Sequence, residues 1–378
     1  MSVSKDFWKN QLYGRKLYQA INDEYDLLPT KPAINERERW HLRQMHGSRR
    51  VKYLAKWLAA NVSRYFTGVE VRVRSVWIDL TPQAYFDYVD SSTGTTESDN
   101  CELSDLLIVL DVSDTVAKAD TRRATLLQAK VVKAWDRLDA SAAGTSSDVE
   151  RNLLELSRGD RVVRKGTSSA SGTLVNSPYD LGAPGLADYA RYLLIPSELK
   201  SVTDEPYRVL WPRTRSDVSG TINSMGDLLL GMTGLFSRSG HVAGKPVHPV
   251  TTPTLDAWSA LVHDLLDLYS GRKKYVKKFE EHTEEKFPRV VDSGTYTARS
   301  GWENVVHQTK KFAIWLAYEV AMAAEAFSPK VSIVPGIKGY SGFGGKGDEQ
   351  ALDGGGFMLL HITVSVAEAR QAEYQRHG

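Results

Sequence analysis

Two apolar runs, Leu106–Leu110 and Ala124–Val132, constrain the fold of this chain most, because polar side chains are set against or into both. Five consecutive apolar residues suit a strand covered on both faces. Strands of that kind need a layer on each side, which predicts an α/β architecture. Yet Glu102 and Asp105 abut the first run, and Gln128 and Lys130 interrupt the second. Burying charge is costly unless the charge is paired or bound to a metal. Side chains at i and i+2 of a strand share a face, so Gln128 and Lys130, with Ala129 between them, point the same way.

The flanking segments extend this reading. Val51, Leu54, Ala55, Leu58 and Val62 recur with helical spacing in a segment that starts near Asn35. Gly47-Ser48 is expected to break that helix, with Ser48 as a cap, and Gly68 to end it. VEVRVRSVWIDL alternates through Val69, Val71 and Val73, then shifts phase to Val76, Ile78 and Leu80, which predicts a strand bulged near Ser75. Val149, Leu153, Leu154 and Leu156 predict a helix after the QAK strand, followed by strands at Tyr189–Ile195 and Tyr207–Leu210. The expected order is helix, strand, strand, strand, helix, strand. Beyond Pro212 the sequence predicts helices at Leu255–Tyr269 and Trp302–Phe327, with strands at Val331–Val334 and Phe357–Val364. Three segments result: an arm over 1–34, an α/β domain over 35–215, and a mainly helical accessory domain with a small sheet over 216–378.

Cutting a phosphodiester requires a hard divalent cation held by a few oxygens, with open positions for water and phosphate. A nearby lysine can orient the attacking water or offset developing charge. An Asp at one strand start, with a ligand and a Lys two residues apart on the next strand, meets those needs. Asp105, followed 23 positions later by Gln128-Ala129-Lys130, is such a set. It resembles the signature of the PD-(D/E)xK nuclease superfamily, and the element order over residues 35–211 resembles that family's αβββαβ core. Gln128 stands where the family usually has an acid, as in the similar QxK variant of the Mrr-like restriction branch. The resemblance implies a restriction-endonuclease-like fold and Mg²⁺- or Mn²⁺-dependent cleavage of double-stranded DNA in a bacterial restriction or antiphage setting, by a homodimer or a subunit of a defence complex. It assigns metal ligation to Asp105, Gln128 and the Ala129 carbonyl, and the catalytic lysine to Lys130. Glu102 is a candidate to supply the charge that Gln128 lacks. The family's first-helix acid would be Glu36 or Glu38.

Three alternatives stay open at this stage: a plain Asp105–Lys130 ion pair, an inactive nucleic-acid-binding or scaffold subunit, and RNA as substrate. Other classes fall away. The single cysteine, Cys101, excludes an internal disulfide framework and a cysteine-based zinc site, and the nine histidines include no HExxH. MSVSKDFWKN lacks the apolar core of a signal peptide, and Phe312–Phe327 is short and carries Glu319 and Glu325, so a cytoplasmic protein is expected. A net charge of +2 gives no global nucleic-acid signature. Local cations must serve instead, and Arg49 and Arg50 on the early helix and Arg122 and Arg123 before the QAK strand are the candidate phosphate contacts.

Overall fold

Around Gly47 the chain forms two helices, α1 (Ile34–His46) and α2 (Ser48–Val62). Gly47 itself is the N-cap of α2, with no side-chain cap bond, so Ser48 is the first helical residue instead of the cap. The helix stops at Val62 with Ser63 as C-cap, five residues before Gly68. Gly68 has another task. At φ +58° it turns the chain where an added Cβ would meet the Ala367 Cβ at 2.7 Å, too close for any side chain.

These helices and all that follow come from a computed structural model, which describes residue 21 and residues 34–78, 82–90, 92–115, 118–133, 146–164, 173–182, 185–197, 207–210, 223–235, 243–268, 290–298 and 357–369. The strands in chain order are β1 (Phe66–Thr67), β2 (Glu70–Ile78), β3 (Gln83–Val89), β4 (Thr96–Glu102), β5 (Leu106–Asp114), β6 (Ala119–Val132), β7 (Ser157–Arg164), β8 (Tyr179–Asp180), β9 (Ala190–Pro196), β10 (Arg208–Leu210), β11 (Asn223–Ser224), β12 (Lys245–Pro246), β13 (Val290–Thr297), β14 (Phe357–Val366) and β15 (Glu368–Ala369). Three more helices are α3 (Ser146–Glu155), α4 (Met225–Met232) and α5 (Ala257–Leu266). The protein is mixed α/β. Two compact units divide the chain, Met1–Thr297 with Gly354–Gly378 and Ala298–Asp353, and every element named here belongs to the first.

A nine-stranded mixed sheet runs in the order β11-β10-β9-β6-β5-β14-β2-β13, with β12 beside β6. β5 and β6 are antiparallel, β6 and β9 parallel. β14 lies between β5 and β2, parallel to the first and antiparallel to the second. The expected division near residue 215 therefore separates strands that share one sheet. A second, antiparallel sheet has the order β4-β3-β7-β8. The expected bulge near Ser75 is absent, since β2 pairs with β14 in unbroken register from Glu70 to Ile78. The phase shift has another cause: Ser75, Val76 and Trp77 are all buried, so this half of β2 is covered on both faces. The irregularity sits in β13, between Asp292 and Thr295.

Register assigns the layers. Val76, Leu359, Leu107 and Leu126 are consecutive partners on one face, where they join a core with Leu153 and Leu154 of α3, Trp258 and Leu261 of α5, and Phe86 and Val163 of the second sheet. On the other face His46, at the end of α1, meets Ser75 Oγ at 2.8 Å and ties the α1–α2 pair to β2. Of the expected C-terminal elements, the helix over Leu255–Tyr269 is present as α5 and the strand over Phe357–Val364 as β14. Trp302–Phe327 and Val331–Val334 lie outside the described residues, as does the 1–34 arm apart from Ile21 and Ile34.

Candidate active site

Asp105 stands immediately before β5, with its backbone clamped from both sides. Its N–H donates to the Leu127 carbonyl (3.2 Å), and its carbonyl accepts from Met358 N–H of β14 (2.8 Å). The inserted β14 thus helps fix the site's Asp. The Asp105 side chain turns to β6, where Oδ2 accepts from Gln128 Nε2 (2.5 Å) and from the Ala129 N–H (2.8 Å). Asp105 and Gln128 are 5% and 2% exposed, so both bonds are made out of water. Along β6 the backbone groups alternate: Leu126 N–H and the Val132 carbonyl bond toward β9, the Leu127 carbonyl toward Asp105. Because a strand residue presents its N–H and C=O to the same edge, the Ala129 carbonyl faces the Asp105 side too.

Lys130 follows on the same face of β6 as Gln128. Its ammonium donates to Glu150 of α3 and not to Asp105, so the plain Asp105–Lys130 ion pair is not what forms. Sequence reasoning missed Glu150. Its signal was its position three and four residues before Leu153 and Leu154, which places a carboxylate on the apolar side of the helix.

Glu38 of α1 completes the cluster from the opposite layer. Burial pushes its carboxyl up to about 7, and Glu150 and Glu102 reinforce this against the opposing pull of Lys130 and Arg39. Asp105 is pushed well above the ordinary carboxylate range by burial and then by Glu38, against Lys130. For Lys130, burial opposes the charge, but Glu38, Glu150 and Asp105 outweigh it and hold the ammonium firmly protonated. Among the described residues Glu38 has no hydrogen bond or ion pair. Glu38 is at this cluster; the side chain of Glu36, the other candidate first-helix acid, lies outside the described residues. Glu102, the last residue of β4, is half-buried and within electrostatic reach of Asp105 and Glu38.

Among the described residues the groups acting on one another here are the Glu38, Asp105, Glu150 and Glu102 carboxylates, the Lys130 ammonium and the Arg39 guanidinium. The donors are oxygens, as Mg²⁺ and Mn²⁺ require, and the negative excess is what a divalent cation would offset. By chemistry, Glu38, Asp105 and the Ala129 carbonyl fit a hard cation, with Glu102 and the Gln128 amide oxygen beside them. Among the described residues no three His, Cys, Asp or Glu side chains converge at ligating distance on one point. The fit thus rests on two carboxylates, a carbonyl and water.

The cations expected to contact phosphate are not brought to this cluster. Arg122 and Arg123 lie six and five residues before Gln128 on β6, roughly 20 Å away along the strand. Arg122 is held bidentately by Asp111 (2.6 and 2.9 Å), and Arg123 Nη1 donates to the Gly244 carbonyl (3.0 Å). Arg49 is exposed and Arg50 half-buried at the start of α2, the helix that packs on β2 and β13. No protein-family model, curated protein or solved structure matches the chain. No described helix is long and apolar enough to cross a membrane.

Proposed function

We propose that the protein is a metal-dependent endonuclease of the PD-(D/E)xK type, hydrolysing phosphodiester bonds of DNA with Mg²⁺ or Mn²⁺. The observation that carries the reading is the meeting of Glu38, Asp105, Gln128-Ala129 and Lys130, from α1, the start of β5 and β6, in a cluster with more negative than positive charge. The fold reading is supported by the antiparallel β5–β6 pair, the α3 connection and the parallel β9. The inserted β14 is a departure from a simple αβββαβ core. The setting implied by the resemblance is a bacterial restriction or antiphage system in the cytoplasm, with the protein acting as a homodimer or a complex subunit.

The roles follow from the chemistry of each group. Asp105, Glu38 and the Ala129 carbonyl would hold the cation, which supplies Lewis acidity toward phosphate and a lowered pKa for bound water. Gln128 steadies one oxygen of Asp105 through its amide N–H and leaves its own amide oxygen as a further neutral donor. Lys130 keeps a fixed positive charge near the place where negative charge grows on the phosphate oxygens. The test is cleavage of plasmid, single-stranded DNA and structured RNA in Mg²⁺, Mn²⁺ or EDTA. Metal-dependent loss of plasmid is expected, and inertness toward all three substrates sinks the reading.

A second reading, an inactive nucleic-acid-binding subunit, is favoured by one observation: two N–H donors already occupy Asp105 Oδ2. It predicts nucleic-acid binding in EDTA with no cleavage in any metal.

A further inference from the structure

Glu150 belongs to no motif in the sequence, yet its carboxylate is the one to which Lys130 is bonded. The two side chains are 19% and 13% exposed, Lys130 first, so this contact is largely shielded from solvent. We propose that Glu150 is a positioning residue that holds the Lys130 ammonium on the α3 side of the sheet, leaving Asp105 and Glu38 open to a divalent cation. The inference rests on the nuclease reading.

A lysine ammonium is a compact charge with three donors on a flexible stem, and it settles on whichever acceptor is within reach. Three carboxylates draw this one: Glu38, Glu150 and Asp105. Two of them are the groups that would hold the metal. An ammonium bonded to either would compete with the cation for the same oxygens. Geometry favours Glu150. Lys130 points to the face of the sheet that α3 covers, whereas Glu38 arrives on α1 from the other layer. The base of Glu150 is firm, because Leu153 and Leu154 on the next turn are each 1% exposed in the core. Asp105 is meanwhile turned toward Gln128 and the Ala129 N–H. Removing the Glu150 charge leaves Glu38 and Asp105 as the remaining attractors of the ammonium, and the partition between lysine and metal is lost.

A double-mutant cycle read by Mn²⁺ affinity tests this on the full chain, by electron paramagnetic resonance titration of wild type, Glu150→Gln, Lys130→Met and the double variant. With Lys130 present, Glu150→Gln should weaken Mn²⁺ binding about tenfold, a coupling typical of groups in contact. In the Lys130→Met background the same change should have no further effect. Glu150→Asp should restore most of the affinity, which a merely structural role would not predict. Thermal melts in EDTA show whether each variant is folded, and Glu150→Ala with Lys130→Ala repeats the cycle where a first-choice variant melts early. Equal weakening in both backgrounds would make Glu150 a ligand in its own right and overturn the proposal, as would no change with Lys130 present. A wild type that binds no Mn²⁺ overturns the nuclease reading as well. Loss of the coupling with Mn²⁺ binding intact overturns this inference alone.

Discussion

Two ends of the same strands hold clusters of charge, and they are balanced in opposite ways. At the far end Asp111 of β5 is bonded by Arg122 of β6 and by His361 Nε2 of β14 (2.8 Å). Burial pushes against that carboxylate, but its bonds to Arg122 and His361 win and bring it down to about 2. At the near end Asp105 and Glu38 are pushed up, first by burial and then by neighbouring carboxylates, against the opposing pull of Lys130. Six residues of β5, roughly 20 Å, separate the two clusters. The far cluster satisfies itself and needs nothing added. Among the described residues the near cluster holds buried carboxyls that Lys130 and Arg39 do not bring down to their ordinary range, which is the property the proposed metal site rests on. Both contain charged residues on the same strands, and the direction of their carboxyl shifts is what tells them apart.

That contrast breaks if the two ends respond alike to substitution. Glu38→Gln should lower cleavage on the order of 100-fold, as loss of a group that organises transition-state charge does. In EDTA the same change should stabilise the protein at neutral pH. The sign follows from the raised carboxyl: the folded state holds the proton between the ordinary 4.5 and about 7, so wild-type stability falls as pH rises through that window. Melting curves from pH 4 to 8 should show the decline in wild type and a flatter profile in the variant. Unchanged profiles would remove Glu38 from the cluster.

Arg122→Ala should act in the other direction, costing about 1–2 kcal/mol of stability with no change in cleavage per folded molecule, since a half-exposed charge-assisted pair contributes modestly. Asp111 lies below its ordinary 3.8, so its contribution is present above that pH and is lost as pH falls toward 2. Urea titrations of Asp111→Asn should therefore differ from wild type at pH 6 and converge with it near pH 2. A smaller effect is expected for Gln128→Glu, which sets a carboxylate against Asp105: the melt should drop in EDTA and recover on adding Mn²⁺. Smallest is Arg49→Glu, an exposed change far from both clusters in sequence, expected to alter nucleic-acid affinity less than about tenfold at physiological salt.

The parts of this picture that were legible in the sequence are the local ones. The break at Gly47, the double-sided burial of Leu106–Leu110 and the apolar stretch of β6 each follow from a pattern within a few residues. Long-range pairing was not legible. β14 is an apolar strand by its own composition, but nothing local says that it inserts between β5 and β2 and clamps Asp105 through Met358. For the same reason a domain boundary near residue 215 looked natural from texture alone. β3, β4 and β7 were not foreseen, because their polar residues face solvent or one another in a separate small sheet. That Asp105, Gln128 and Lys130 lie close together was readable from their spacing. The parts of Glu38 and Glu150 needed the helices placed on the sheet. A glutamate on a helix is by default a solvated residue, and only its neighbours show otherwise.

As proposed, the near cluster is a metal-dependent centre built on Asp105 and Lys130. The most direct test is conversion of supercoiled plasmid in Mn²⁺ by wild type, Asp105→Ala and Lys130→Ala, each checked for an intact melt. Nicking or linearisation is expected from wild type, none from either variant, and none from any protein in EDTA. Full cleavage by a folded Asp105→Ala or Lys130→Ala protein would contradict the proposal.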